Sequence, residues 1–266
     1  MTVNPLPRRL ADGVYWLGAC YEHPRGDGEL LHSYNSAYLV AGERASMLIE
    51  AGFPGDVAEV EAQVDGLLAE GLAPLKHLFV THQETPHAAG SARFLERYPD
   101  LRLCGDTRDF HLVFPEHADR VDRLRIGDAI DLGGTRVEAV GAVIRDLEST
   151  LWAFDERSRT LFPGDGFAYG HVHADGHCGH LAEEAEDLPL PDMAAMFAAY
   201  ALHWTRFQDM EPFVSALAEQ IARLGVRRIA STHGLPIGDV AATAPLVYEG
   251  LRSGSAGTAE VLKDVR

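Results

Sequence analysis

The sequence predicts an α/β fold, a four-layer α/β/β/α sandwich in which two strand-rich halves each carry helices. Three observations lead there. Short runs rich in β-branched and aromatic residues recur along the chain, and stretches of helical periodicity follow them. A length of 266 residues with 46% hydrophobic composition is also enough to bury a sizeable core.

The elements follow in order. Gly13 to Cys20 reads as a strand, and the polar, glycine-containing segment from Tyr21 to His32 reads as a loop suited to covering a site. Ser36 to Val40 and Ala45 to Glu50 form two strands joined through Ala41-Gly42-Glu43-Arg44. Val57, Val60, Val64, Leu67 and Leu68 keep a helical period that ends at Gly71. Lys76 to Thr81 is the next strand. A helix then runs from an N-cap at Thr85, through Pro86, to about Tyr98. Phe110 to Ala118 is a short helix or loop insertion, and further strands are expected at 101–104, 135–140, 150–154, 160–162 and 226–230. Helical periods cover Met193 to Thr205, Glu211 to Leu224 and Asp239 to Leu251.

A formal net charge of −17 excludes the usual nucleic-acid binders and argues against anionic membrane surfaces, since both need clustered Lys and Arg. No apolar run nears the roughly 18 residues a membrane helix requires, and Met1 to Leu10 lacks a signal-peptide pattern. Cys20, Cys104 and Cys178 form no CxxC pair and no disulfide framework, which points to the cytoplasm and to buried or loop thiols.

The chemistry concentrates in Phe79-Val80-Thr81-His82-Gln83-Glu84-Thr85-Pro86-His87. A loop leaving a strand end can turn His82, Glu84 and His87 towards one point, as a transition-metal site requires. The competing reading is a hydrogen-bonded helix N-terminus with Glu84 favoured by the dipole. Asp165, in Leu161-Phe162-Pro163-Gly164-Asp165-Gly166, and His233, in Ala230-Ser231-Thr232-His233-Gly234, each stand just beyond an apolar strand. Either alone is equally a turn residue. His171, His173, His177 and His180 form a second histidine-rich tract; it reads as a metal-binding stretch or, more simply, as a polar surface loop beside Glu183, Glu184 and Glu186.

Strand-His82-x-Glu84-x-x-His87, then Gly164-Asp165, then Ser231-Thr232-His233-Gly234 resembles the metallo-β-lactamase superfamily. With Glu84 where zinc hydrolases carry a histidine, it resembles more narrowly the di-iron domain of flavodiiron and oxygen-binding di-iron proteins. Leu10 to Trp16 and Tyr34 to Val40 are similar to that family too. The resemblance implies a metallo-β-lactamase-like αββα sandwich over residues 1–252 with a tail at 253–266. It implies metal ligands His82, Glu84, His87, Asp165 and His233, one or two irons, and reaction with dioxygen, nitric oxide or a small molecule. A separate electron donor would be needed, because no flavodoxin-like domain is expected after the fold. It also implies a homodimer. Two positions depart from the pattern: Pro86 replaces an aspartate ligand and Arg145 replaces a histidine ligand, with Asp146 one residue away. Three protein ligands per position still suit non-haem iron. Alternatively, the Arg145 guanidinium replaces the cation and leaves a metal-free binding or regulatory protein. A metal-dependent hydrolase of esters, lactones or thioesters is the remaining alternative, with zinc as the alternative metal.

Overall fold

The computed structural model describes residues 6–24, 30–173, 177–185 and 188–254. A seven-stranded sheet has the order β1-β2-β3-β4-β5-β6-β7, with β1 Arg8–Ala11, β2 Val14–Pro24, β3 Leu30–Ala41, β4 Ser46–Ile49, β5 Leu75–Phe79, β6 Arg102–Gly105 and β7 Val121–Arg123. A five-stranded sheet has the order β12-β11-β10-β9-β8, with β8 Ala129–Asp131, β9 Arg136–Gly141, β10 Leu151–Asp155, β11 Thr160–Phe162 and β12 Arg228–Ile229. The helices are α1 Val57–Ala69, α2 Thr85–Ala88, α3 Ser91–Arg97, α4 Phe110–Val113, α5 Leu190–Tyr200, α6 Glu211–Leu224 and α7 Val240–Gly254.

Side-chain alternation builds the layers. On β3 and β4, Tyr38, Val40, Met47 and Ile49 join one core cluster, while Ala37, Leu39 and Leu48 join the other. The second cluster lies against α1 and α3 through Val60, Val64, Phe94 and Leu95. The first joins the inner faces of the two sheets and continues to α5, α6 and α7 through Ala194, Leu217 and Val247. Both faces of the central strands are therefore apolar, which is why they read as unbroken hydrophobic runs. Fully buried Trp16, Trp152, Phe79 and Phe154 each contribute about 1.5–3 kcal/mol of transfer free energy.

The expected α/β/β/α arrangement is what the chain adopts, with local corrections. Tyr21 to Pro24 and Leu30 to His32 belong to the long β2–β3 hairpin rather than to a covering loop, its register running from Val14↔Val40 to Pro24↔Leu30; residues 25–29 lie outside the described part. The helix expected from Thr85 to Tyr98 is two helices, broken at Gly90. A Cβ at Gly90 would collide with the Ala51 carbonyl oxygen, so close approach to the β4 end, not propensity, sets the break. Glu84 rather than Thr85 holds the N-cap, with extended backbone at ψ 154°. The strands at 8–11, 121–123 and 129–131 lay below the sequence signal, being short and at or near sheet edges. The tail expected at 253–266 begins inside α7, which continues to Gly254, and residues 255–266 lie outside the described part.

Candidate metal centre

All the expected ligands leave the carboxyl ends of strands on one edge of the sandwich. His82, Glu84 and His87 follow β5, Asp165 follows β11 and His233 follows β12. Backbone hydrogen bonds stitch the carrying loops together: Leu151 N donates to Thr81 O (2.9 Å), Thr232 N to Gly164 O (3.1 Å), and Ala51 N to His87 O (2.7 Å). Gly164 takes φ +54°, and a side chain there would press on Thr81, so glycine is what lets Asp165 turn inward beside that loop.

The five side chains meet. One donor atom from each of His82, Glu84, His87 and Asp165 lies within 4.8 Å of the others. His233 Nε2 stands 3.6 Å from Asp165 Oδ1, and His87 Nε2 stands 3.5 Å from the same oxygen. The His82 and His87 rings are 3.8 Å apart between centroids. His82 Nε2, His87 Nε2 and Asp165 Oδ1 are buried without a hydrogen bond of good geometry among the described residues. Polar atoms buried this way are costly unless something else satisfies them. Their convergence fits a cation.

Two residues beyond the expected ligands complete the geometry. Asp146 Oδ2 approaches His82 Nε2 to 2.9 Å, whereas the Arg145 side chain is half exposed and points to Glu148 at 3.9 Å. Arg145 O instead accepts a hydrogen bond from Trp204 Nε1. The alternative in which a guanidinium fills the pocket is therefore overturned: the loop after β9 turns the aspartate in and the arginine out. Glu50 is buried at the end of β4 with φ +66° and carried no sequence motif. Its carboxylate accepts from Thr81 Oγ1 (2.5 Å) and Thr81 N (3.2 Å) and lies 3.1 Å from His87 Nδ1.

These contacts fix the imidazole tautomers. Thr81 gives its hydroxyl proton to Glu50, so at 3.0 Å from His82 Nδ1 it accepts the proton on that nitrogen. His87 Nδ1–H likewise points at Glu50. With those protons on Nδ1, Nε2 is the nitrogen each ring turns to the pocket, the carboxylate–imidazole arrangement typical of metal-bound histidine; Asp146 beside His82 and Asp165 beside His87 favour a proton there where no metal takes its place. Burial opposes a charged His87, yet Glu50 and Asp165 on its two sides hold its pKa well above the ordinary value. His82 is likewise raised, against burial and its neighbour His87, by Asp146 and Glu84. Burial alone would raise Asp165; the facing His87, His233 and His82 hold it well below the usual carboxylate range. The pocket draws positive charge, either protons or a metal that displaces them.

Pro86 coordinates nothing and, with His233, Tyr21, Ser33, Tyr34, Asn35 and Phe53, lines a pocket of about 260 Å³ beside the ligands. The histidine tract contributes no donor to this cluster. His171 is buried against Tyr34 and Tyr169, and His173 meets Cys20, His32 and Cys178 in a separate group. Two of the cysteines that looked scattered are thus neighbours.

The Metallo-beta-lactamase superfamily model matches residues 32–188, more than half of the chain. The chain belongs to that superfamily. Among curated relatives, it is 25% identical to coenzyme F420H2 oxidase of Methanothermobacter marburgensis over 240 residues, covering 85% of this chain and 57% of that protein. It is 21% identical to nitric oxide reductase of Moorella thermoacetica over 244 residues, covering 86% and 57%. The chain thus spans a little over half the length of these relatives. Among solved structures, rubredoxin oxygen:oxidoreductase of Desulfovibrio gigas superposes with a TM-score of 0.73 at 16% identity, covering 93% of this chain and 61% of that one. A fragment of a diflavin flavoprotein from Nostoc gives 0.67 at 16% identity, covering 98% and 97%. The metallo-β-lactamase fold of this chain is that of flavodiiron cores.

Proposed function

We propose that the chain is a non-haem iron protein of flavodiiron type that binds or reduces dioxygen or nitric oxide, or uses the oxidant on a small molecule. The observation that carries this reading is the convergence of His82, Glu84, His87, Asp165 and His233, with Asp146 added, around the buried atoms His82 Nε2, His87 Nε2 and Asp165 Oδ1. His82, Glu84, Asp146 and Asp165 would hold one iron, and His87 and His233 would hold a second beside Asp165. Oxygen-rich, imidazole-containing donors suit iron. Bound iron would supply a redox centre at which a small oxidant takes up electrons.

The protein's own part is orientation and access. Glu50 and Thr81 keep the protons on Nδ1 of His87 and His82, so each Nε2 is presented to the pocket. Pro86 contributes no donor where relatives of this type carry an aspartate, which leaves coordination open beside the 260 Å³ pocket. Tyr21, Tyr34 and Phe53 make that pocket largely apolar, suited to a diatomic gas or a small organic molecule. The matched curated relatives carry the names of an oxidase and a nitric oxide reductase, which supports oxidant chemistry here. A separate electron donor, a cytoplasmic setting and a homodimer belong to the same proposal. No helix among the described residues is long and apolar enough to cross a membrane.

The hydrolase alternative loses support, since Pro86 offers no carboxylate to orient a nucleophilic water. The metal-free alternative loses its counter-charge now that Arg145 faces outward. The test is anaerobic loading with ferrous iron, followed by iron analysis and exposure to dioxygen or nitric oxide with a chemical reductant. Bound iron with oxidant-dependent spectral change is expected. Retained zinc with esterase turnover, or a protein that refuses ferrous iron, would overturn the reading.

A further inference from the structure

We propose a second metal site, a structural zinc held by Cys20, His32, His173 and Cys178. Cys20 comes from β2 and His32 from β3, while His173 and Cys178 flank a segment after β11. Cys20 Sγ is 3.3 Å from His32 Nδ1, 3.3 Å from His173 Nε2 and 3.7 Å from Cys178 Sγ. Cys178 Sγ is 3.7 Å from His32 Nδ1. All four donor atoms fall within 4.8 Å of one another. Tetrahedral zinc, with bonds of about 2.3 Å to sulfur and about 2.0 Å to nitrogen, sets its ligands about 3.8 Å apart for two sulfurs and about 3.5 Å for sulfur and nitrogen. The four edges given lie within about 0.3 Å of those distances.

The surroundings hold the donors in place. His32 and His173 exchange backbone hydrogen bonds of 2.8 and 2.9 Å as an isolated antiparallel pair, so their rings project side by side. The Tyr34 ring stacks on His173 at 5.3 Å, and Arg8 donates to Gly179 O (2.5 Å), fixing the turn after Cys178. His32 and Cys178 are buried, Cys20 and His173 half-buried. His173 Nδ1 is buried without a hydrogen-bond partner among the described residues. Four protein ligands leave no open position, the mark of a structural rather than catalytic zinc. Two thiolates select zinc over the hard ion suited to the carboxylate pocket. Binding releases the two thiol protons and leaves oxidation states unchanged.

The zinc would clasp His173 and Cys178 onto the β2–β3 hairpin. Two and three residues beyond His32, Tyr34 and Asn35 line the 260 Å³ pocket, and Asn35 pairs with His233 across an isolated bridge. The clasp therefore braces one wall of the pocket without touching the carboxylate site.

Titration of the reduced, metal-stripped 266-residue chain with Co²⁺ tests this without any variant. The expected result is one equivalent showing a thiolate-to-cobalt charge-transfer band and tetrahedral ligand-field bands, both erased by added Zn²⁺. The carboxylate pocket has no sulfur, so it cannot supply that band. The double variant Cys20→Ser, Cys178→Ser should lose the band and one equivalent of zinc, melt at a lower temperature, and keep its iron uptake. Cobalt binding without a sulfur band, or a Cys20–Cys178 disulfide in place of free thiols, would overturn the proposal.

Discussion

The molecule carries two histidine clusters of opposite character. One sits at strand ends and combines imidazoles with Glu50, Glu84, Asp146 and Asp165; the other straddles a hairpin and combines imidazoles with two thiols. Hard oxygen donors in a partly open pocket suit a reactive ion, whereas soft donors closed around one point suit a fixed one. Histidine alone says little; its partners, and whether a coordination position stays open, separate chemistry from bracing.

The largest expected effect comes from Asp165→Asn. This carboxylate faces both His87 and His233, so its loss should weaken iron binding by more than about 100-fold, beyond the range for outer contacts, as read by iron analysis after dialysis. Zinc content should not change, and a parallel loss of zinc would break the separation between the clusters. Glu50→Gln leaves every ligand in place but weakens the acceptor that orients His87. Iron affinity should fall about 10–100-fold in a competition titration with a ferrous chelator.

Gly90→Ala tests the helix break that aims His87 from α2. The added methyl meets the Ala51 carbonyl, and chemical denaturation should show a loss of about 2 kcal/mol. Acid titration probes the edge of the sulfur cluster. Arg8 pairs with Glu184 at 2.6 Å, and its hydrogen bond holds that carboxyl down to about 2. The pair's contribution is present above the ordinary glutamate pKa and disappears as pH falls from there through about 2. Both groups are partly exposed, so the difference between wild type and Arg8→Ala should be about 0.5 kcal/mol at neutral pH and vanish in acid. Arg145→Ala should change neither iron content nor melting temperature measurably, because its half-exposed side chain points away from the pocket to Glu148.

The first cluster was legible in sequence because three of its donors fall within six residues after one strand, and the others directly follow strands. Its refinement was not. Asp146 or Arg145 could each face inward from the same loop, and only the local turn, with Thr150 Oγ1 donating to Asp146 Oδ1, decides between them. Glu50 was hidden because a buried glutamate at a strand end has no motif; its role arises from packing against Thr81 and His87. The second cluster was illegible for a different reason. Positions 20, 32, 173 and 178 have no zinc-finger spacing, and His32 closed the polar stretch from Tyr21 that read as a loop, so nothing paired it with Cys20 at the end of the strand before it. The layered fold was readable because alternation on β3 and β4 buries both faces.

Mössbauer spectroscopy on wild-type protein loaded anaerobically with ⁵⁷Fe²⁺ tests the central claim most directly. The account predicts high-spin ferrous iron in oxygen and nitrogen coordination, converted by dioxygen and absent in Asp165→Asn. Iron that binds equally well to both proteins, or a sulfur-ligated signal in place of the expected one, would contradict it.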